Sequence, residues 1–342
     1  MSKRSVLPFL LIVIAALVLG ACVAPAPVTT APEAAPDAAS EAEFKLASIF
    51  PGVITDADYN TLGYLGTTEA GKNLGIETAY SESVPVPDVE RVMREYIDDG
   101  YNIIFTHGGQ FFSQTLGMAE EFPEVYFIAE GDAPAQDPPP NVWVIDRNFH
   151  VGFYGLGALA AQLTETGKVG YLGGLTLPFS YAEVHAMNQA VDDLGLDVEI
   201  KPVWVGDFND PTKARELGDA MVAEDVDVLV GSLNLGMLGV FESAKNASDQ
   251  VWVTAKYSDK SSFAPDNYVT ALLYDFAVPL TAIVGNIMEG EIGGYYPLGF
   301  DTGVSLQAPS HVSDEILAKM HEITEALISG EIEVIKNTDA IE

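Results

Sequence analysis

Residues 84–108 read VPVPDVERVMREYIDDGYNIIFTHG, and this stretch contains one complete helix-to-strand unit. Valine, methionine and tyrosine side chains recur at helical spacing within it, which predicts a helix over residues 88–99. Gly100 follows at the position where helices commonly stop, and the largely apolar residues 102–106 predict a strand. A helix that leads directly into a strand is the repeating unit of a parallel sheet covered by helices.

The same unit recurs on both sides of a break near residues 146–151. Before the break, strands are predicted at 45–50, 77–81, 102–106, 125–129 and 142–145, with further helices at 62–74 and 113–121. After a long helix from 151 to about 164, strands are predicted at 168–173, 198–203, 226–230 and 251–254. Two successive runs of alternating elements predict an α/β protein with two similar parallel-sheet lobes.

The first 43 residues have the features of export and attachment. Lys3 and Arg4 precede an apolar run over 6–20, which is shorter than the roughly 20 residues of a membrane span and is typical of a signal peptide. The run ends in Leu19-Gly20-Ala21-Cys22, which resembles the lipobox of bacterial lipoproteins and predicts cleavage before residue 22 and a lipid on Cys22. The alternative is an ordinary signal peptide with an incidental cysteine. Residues 22–43 are rich in Pro, Ala and acid, which predicts a disordered, lipid-anchored tether.

Composition excludes several functions. Fifty Asp and Glu oppose 16 Lys and Arg, and a net charge of −34 argues against nucleic-acid binding. The sequence lacks a G-x-S-x-G elbow, and its five histidines are dispersed, so neither an enzyme, a cofactor nor a metal is predicted. The segment from Gly155 to Gly157 resembles a dinucleotide fingerprint, but it falls inside a predicted helix and therefore indicates close helix packing.

Candidate binding residues lie in the loops that follow the predicted strands. In open parallel sheets, ligands bind beyond the carboxyl ends of the strands. These loops hold aromatic rings, amides and carboxylates, a mixture that suits a flat ligand with polar edges. The loops are residues 51–60, 107–112, 130–132, 173–181, 231–236 and 255–259.

Six stretches together resemble the basic membrane protein family (BMP/PnrA-like), the solute-binding lipoproteins related to purine nucleoside receptors of ABC transporters. They are residues 54–60, 84–108, 167–174, 205–217, 264–266 and 328–332. The resemblance implies a type I periplasmic binding protein, with two doubly wound parallel-sheet lobes joined by a multi-crossing hinge. The predicted first lobe is 44–148 plus about 276–303, and the second is 149–275 plus about 304–342. It also implies a monomer lipid-anchored on the extracytoplasmic side of the cell membrane, with ABC permease and ATPase subunits as partners.

The resemblance also places ligand contacts. Tyr59 matches a residue that borders a ring, and Asn60 one that bonds the ring edge, although Asn60 also suits a helix N-cap. Phe111 or Phe112 matches a cleft aromatic, and Phe179 matches another or is a core residue. Four further polar residues are expected at the ligand from their loop positions, namely His107, Glu130, Asn234 and Asp259.

Two departures from the family pattern bear on the ligand. The resemblance implies that nucleoside-binding members of the family have an Asp in the loop that matches 255–259 and a Lys further along the chain. In those members the Asp and the Lys hold the ribose hydroxyls. Tyr257 and Tyr274 stand at those positions here, which favours a purine base over its nucleoside. An alignment shifted to Lys256 or Lys260 would reverse this inference. The alternatives are a binding protein for another small solute, such as a sugar or an aromatic metabolite, and a non-transport sensor or adhesive lipoprotein.

Overall fold

The computed structural model describes residues 43–132 and 137–341. Within that part the chain from Glu43 onwards is one compact unit. The predicted signal peptide, Cys22 and all but the last residue of the predicted tether lie outside the described residues. None of the helices described is both long and apolar enough to cross a membrane.

Strands and helices alternate along most of the described chain. The strands are β1 (Lys45–Ile49), β2 (Glu77–Ser81), β3 (Ile103–Thr106), β4 (Tyr126–Gly131), β5 (Val142–Asp146), β6 (Lys168–Gly173), β7 (Glu199–Trp204), β8 (Val228–Ser232), β9 (Trp252–Tyr257), β10 (Tyr268–Tyr274), β11 (Gly294–Pro297) and β12 (Val304–Leu306). The helices are α1 (Tyr59–Leu74), α2 (Val89–Asp98), α3 (Phe112–Glu121), α4 (Phe149–Leu163), α5 (Pro178–Leu194), α6 (Pro211–Ala223), α7 (Met237–Asn246), α8 (Ala277–Met288) and α9 (Asp314–Ser329).

The strands form two sheets, which confirms the predicted fold class. The first has the order β11-β5-β4-β3-β1-β2 and is parallel throughout. The second has the order β12-β10-β9-β8-β6-β7 and is parallel except for β12, which pairs antiparallel with β10. The chain passes between the sheets after β5, after β10 and after β11. The exact lobe boundaries named above stay a prediction.

Both faces of the first sheet are covered. Successive residues of a strand point to opposite faces, and Ile104 belongs to a different hydrophobic core from its neighbours Ile103 and Phe105. The core of Ile103 includes Ala70 of α1 and Ile283 of α8, while the core of Ile104 is formed with α2 and α3. This burial explains why the strands are almost wholly apolar.

Sequence analysis placed most elements within a few residues of their observed bounds. The first helix begins at Tyr59, earlier than predicted, because the Asp56 carboxylate accepts from the backbone N–H of Asp58, Asn60 and Thr61. The interpretation of Asn60 as an N-cap is therefore wrong, since it lies inside the first turn. The predicted end at Gly75 is confirmed, with φ of 71°.

Close helix packing at Gly157 is also confirmed. A Cβ placed on Gly157 would lie 2.6 Å from the Cα of Met187 in α5, so only glycine permits this approach. The strands β10, β11 and β12 were not predicted. The reason is clearest for β10, which follows β9 through a loop without an α-helix and so breaks the alternation on which the prediction rested.

Candidate ligand-binding site

A cavity of about 210 Å³ lies where loops from the carboxyl ends of both sheets meet. This is the place that the rule for open parallel sheets predicts. Its lining residues are Pro51, Gly52, Tyr59, Asn60, Gln110, Arg147, Phe149, Leu177, Phe179, Phe208, Asn209, Asn234 and Tyr257. A larger groove, of about 750 Å³, runs between α1 and α8; apart from Tyr274, Asp275 and Phe276 at the end of β10, its lining comes from these two helices.

Five of the predicted ligand contacts line this cavity together. They are Tyr59, Asn60, Phe179, Asn234 and Tyr257, which come from loops of both sheets. Phe179 is thus at the cavity surface, although its ring also packs edge-on against Phe149 at 5.6 Å. Contact of these five residues with a ligand stays a prediction.

His107 and Glu130 lie behind the cavity wall, and both side chains are fully buried. His107 Nδ1 lies 2.6 Å from Glu130 Oε1, and Nε2 lies 2.8 Å from the Tyr59 carbonyl oxygen. The Tyr59 hydroxyl donates to the other oxygen of Glu130, and the His107 ring stacks on the Tyr59 ring at 3.8 Å. The expectation that His107 and Glu130 touch the ligand is corrected, because their polar atoms are used to hold Tyr59.

The charges around Glu130 favour its ionised form. Burial acts to raise the pKa of Glu130, but the opposite charges of His107 and Arg147 and the hydrogen bond from Tyr59 outweigh burial and lower it. The Glu130 carboxylate therefore stays ionised at neutral pH. An ionised, fully bonded carboxylate fixes the orientation of the Tyr59 ring at the cavity surface.

Three other predicted contacts do not reach the cavity. Phe111 is fully buried in the core between the first sheet and α2–α3, and Phe112 packs on the same core. Asp259 is exposed and accepts from the backbone N–H of Ser261 at 2.8 Å, so it stabilises a local turn. Tyr274 lies behind Tyr257, with 5.4 Å between the ring centroids.

Tyr257 has a strained backbone that places its ring in the wall. Its φ is 80°, a left-handed conformation that costs a residue other than glycine of order 1–3 kcal/mol. The ring centroid lies 5.6 Å from that of Tyr59, so rings from loops of both sheets meet here. Strain of this kind persists only where the surrounding packing fixes it.

Lys256 is inside the wall and does not line the cavity. Its Nζ lies 2.7 Å from Glu183 Oε1, and the Tyr171 hydroxyl donates to Glu183 Oε2 at 2.7 Å. The same Nζ sits 3.5 Å from the centroid of the Phe149 ring, and burial lowers the pKa of Lys256 to about 8. Lys256 is thus engaged within the protein and is not positioned as a ligand contact.

Lys260 joins the loops of the two sheets instead of facing the cavity. It forms a buried ion pair with Asp58, and Ser258 Oγ donates to the same carboxylate oxygen at 3.1 Å. Burial raises the pKa of Asp58 to about 6 in spite of Lys260. Loops after β1 and β9 are therefore held together by a charged contact beside the cavity.

Arg147 and Phe208 line the cavity and were not predicted. Arg147 follows β5 directly, so the rule of strand carboxyl ends applied to the apparent break at 146–151 would have found it. Phe208 follows β7, and its ring lies nearly parallel to that of Phe179 at 6.3 Å. A Cβ on Gly174 would lie 2.1 Å from the Phe208 ring, so glycine is required at that position.

Arg147 is held from several sides. Its Nη2 donates to the Asp132 carboxylate oxygens at 2.7 and 2.8 Å, and Nε donates to Oδ1 at 3.1 Å. Its Cζ lies 5.3 Å from the ring centroids of both Phe149 and Phe179. Burial acts to lower the pKa of Arg147, but the negative charges around it, Asp132 foremost, raise it. A fixed guanidinium thus stands among flat rings and neutral amides.

Two parallel sheets with a cavity at their carboxyl ends define a solute-binding protein of the periplasmic type. The fold matches that of an ABC transporter solute-binding protein from Aeropyrum pernix K1, with a TM-score of 0.72 and 20% identity, over 86% of this chain and 94% of that one. The sequence profile of the Bmp family, described as ABC transporter substrate-binding protein PnrA-like, matches residues 44–338. The chain therefore belongs to this family, which comprises solute-binding proteins and is not a class of enzymes.

Two relatives show the range of the family. Basic membrane protein A2 of Borrelia garinii subsp. bavariensis is 24% identical over 307 residues, which cover 87% of this chain and 90% of that protein. A purine-binding protein of Brucella abortus is 25% identical over 260 residues, which cover 75% of this chain and 72% of that protein. These are proteins to which the chain is similar over most of its length.

Proposed function

We propose that this protein captures a purine for an ABC importer and binds the free base in preference to the nucleoside. The observation that carries the proposal is the ring of Tyr257 in the cavity wall. In the pattern of nucleoside-binding members, this position is an Asp that binds the ribose. The likeness to a purine-binding protein of Brucella abortus supports the ligand class.

The cavity suits a flat heterocycle. The Phe179 and Phe208 rings and the Tyr59 ring give it flat apolar faces, which favour stacking. Its edges carry the side-chain amides of Asn60 and Asn234, a group that both donates and accepts hydrogen bonds. The Asn60 amide already donates to Asp56 and accepts from the Gly52 N–H, which leaves one of its N–H groups for a ligand. The volume of about 210 Å³ is below the roughly 300–1,000 Å³ of sites for drug-sized ligands. A bicyclic base matches these limits better than a base with a sugar attached.

The two charged residues that hold ribose in the nucleoside-binding pattern are both replaced by tyrosine in this chain. Tyr257 occupies wall space, and Tyr274 lies behind it with its hydroxyl buried and without a hydrogen-bond partner among the described residues. A sugar hydroxyl buried without a partner costs about 1–3 kcal/mol, which is roughly one to two decades of affinity. The nucleoside is therefore expected to bind more weakly than its base.

The cellular setting follows from the family and the amino terminus. We propose that a lipid on Cys22 anchors the protein on the extracytoplasmic side of the cell membrane, with residues 22–43 as a tether. A monomer in this position is expected to deliver its ligand to the permease and ATPase subunits of the transporter. The Asp58–Lys260 pair, which joins loops of both sheets, is expected to stabilise the closed arrangement of the two lobes.

Calorimetry with matched pairs tests the ligand proposal. Hypoxanthine with inosine and adenine with adenosine are titrated into purified protein from which bound ligand has been removed. We expect each base to bind about tenfold or more tightly than its nucleoside. Tyr257→Ser should narrow that difference, whereas Tyr274→Phe, which removes only a buried hydroxyl, should leave it unchanged. Equal or tighter binding of the nucleosides would refute the preference, and no binding of any of the four would refute the purine class.

A further inference from the structure

The charged side chain in the described cavity wall is a cation. Among the described lining residues, Arg147 is the only one with an ionisable acid or basic side chain of the Asp, Glu, Lys, Arg or His type. The nearby carboxylates are engaged elsewhere: Glu130 by His107 and Tyr59, and Asp58 by Lys260. Asp132 is paired with Arg147 itself. The described wall therefore offers a ligand a cationic donor and no carboxylate acceptor.

Arg147 has donor capacity beyond its protein partners. A guanidinium carries five N–H groups, and Asp132 accepts from Nε and Nη2. The contact of Nη1 is a 3.4 Å approach to the Tyr59 hydroxyl, which accepts because its own proton goes to Glu130. Nη1 carries two N–H groups, so one remains for an acceptor in the cavity.

The surrounding residues fix the position of the Arg147 guanidinium. A Cβ on Gly109 would lie 2.6 Å from Arg147 Nη2, so the loop after β3 leaves room for it only with glycine. The bidentate pair with Asp132 fixes its plane. The side chain lines the cavity and is only 8% exposed, so it is largely shielded from bulk water.

We propose that Arg147 is a specificity-determining residue that donates to an oxo oxygen of the ligand, so that a 6-oxopurine binds in preference to a 6-aminopurine. This inference rests on the proposed purine function. An oxo oxygen has two lone pairs for the guanidinium, and hydrogen bonds from a charged donor are roughly twice as strong as neutral ones. An exocyclic amino group placed there would set donor against donor and leave both without an acceptor.

The test compares two bases that differ at this edge. Hypoxanthine and adenine are titrated calorimetrically into the wild-type protein and into Arg147→Gln, with Arg91→Gln as a matched control that removes an exposed arginine paired with Glu95 outside the cavity lining. We expect hypoxanthine to bind wild type at least about tenfold more tightly than adenine, the effect of one unmet buried hydrogen bond. Arg147→Gln should remove that preference, and Arg91→Gln should retain it.

The readout is the ratio of the two affinities, which a merely structural role of Arg147 would not move. Adenine binding to wild type as tightly as hypoxanthine would overturn the inference and leave the purine proposal standing. An equal loss for both bases in Arg147→Gln would also overturn it. Failure of both bases to bind wild type would overturn the purine proposal itself. If Arg147→Gln does not fold, the ratio of the hypoxanthine and adenine affinities of the wild-type protein alone decides whether the inference stands.

Discussion

Removing the charge of Lys256 should destabilise the protein strongly. Lys256 and Glu183 are both fully buried and 2.7 Å apart, so Lys256→Met leaves a buried carboxylate with only the Tyr171 hydroxyl as its close partner. Breaking a buried ion pair by removing one partner costs about 3–5 kcal/mol, whereas replacing both charges by apolar groups is often neutral. We therefore expect a loss of about 3–5 kcal/mol in the free energy of unfolding for Lys256→Met. Much of that loss should be recovered in the double variant Lys256→Met/Glu183→Leu.

Urea unfolding followed by circular dichroism measures these differences, with all four proteins of the cycle at the same pH. The matched control is Lys201→Met, which removes a lysine from a half-exposed pair with Glu224, where the expected loss is about 1 kcal/mol or less. A loss below about 1 kcal/mol for Lys256→Met, or no recovery in the double variant, would refute the idea that the pair is a coupled buried charge.

The other expected outcomes concern pH, anchoring and closure. Burial, aided by Lys336 and opposed by Asp146, lowers the pKa of His150 to about 4; the unfolded chain therefore takes up the proton first, and stability should fall as pH drops from about 6.5 towards 4. His150→Gln should flatten that part of a stability-against-pH curve, and an unchanged slope would contradict the assignment. Cys22→Ser should release the protein from membranes or leave its precursor uncleaved, which fractionation and mass measurement detect; unchanged membrane association would argue against a lipid on this thiol. Hypoxanthine should reduce the radius of gyration measured by X-ray scattering as the lobes close, and equal radii in both states would point to a rigid molecule.

Sequence alone predicted the parts of the site that follow a simple rule. Tyr59, Phe179 and Tyr257 were singled out by comparison with the family pattern, and each lies just after a strand or opens the next helix. Phe111 was misplaced because both adjacent phenylalanines pack on the core between the first sheet and α2–α3, which their position after a strand does not reveal. Asp259 was misplaced because a local turn uses its carboxylate.

What the sequence could not supply was the pairing of distant side chains. His107 and Glu130 were predicted as ligand contacts, but only the fold shows that they bond to each other and to Tyr59 instead. Arg147 was hidden in a stretch interpreted as a boundary between lobes, although that boundary is also the end of a strand. Contacts between residues far apart in the chain depend on register and on loop paths, which local patterns do not encode.

The three passages of the chain between the sheets affect how the protein is made. Each sheet receives its last strand late: β11 ends at Pro297 and β12 at Leu306, in a chain of 342 residues. Neither sheet can be completed on the ribosome until those segments have emerged. A nascent or prematurely terminated chain would expose the unpaired edges of β5 and β10 at the same time, and such edges are templates for aggregation. The edges of β5 and β10 therefore stay unprotected until residues 294–306 join the two sheets.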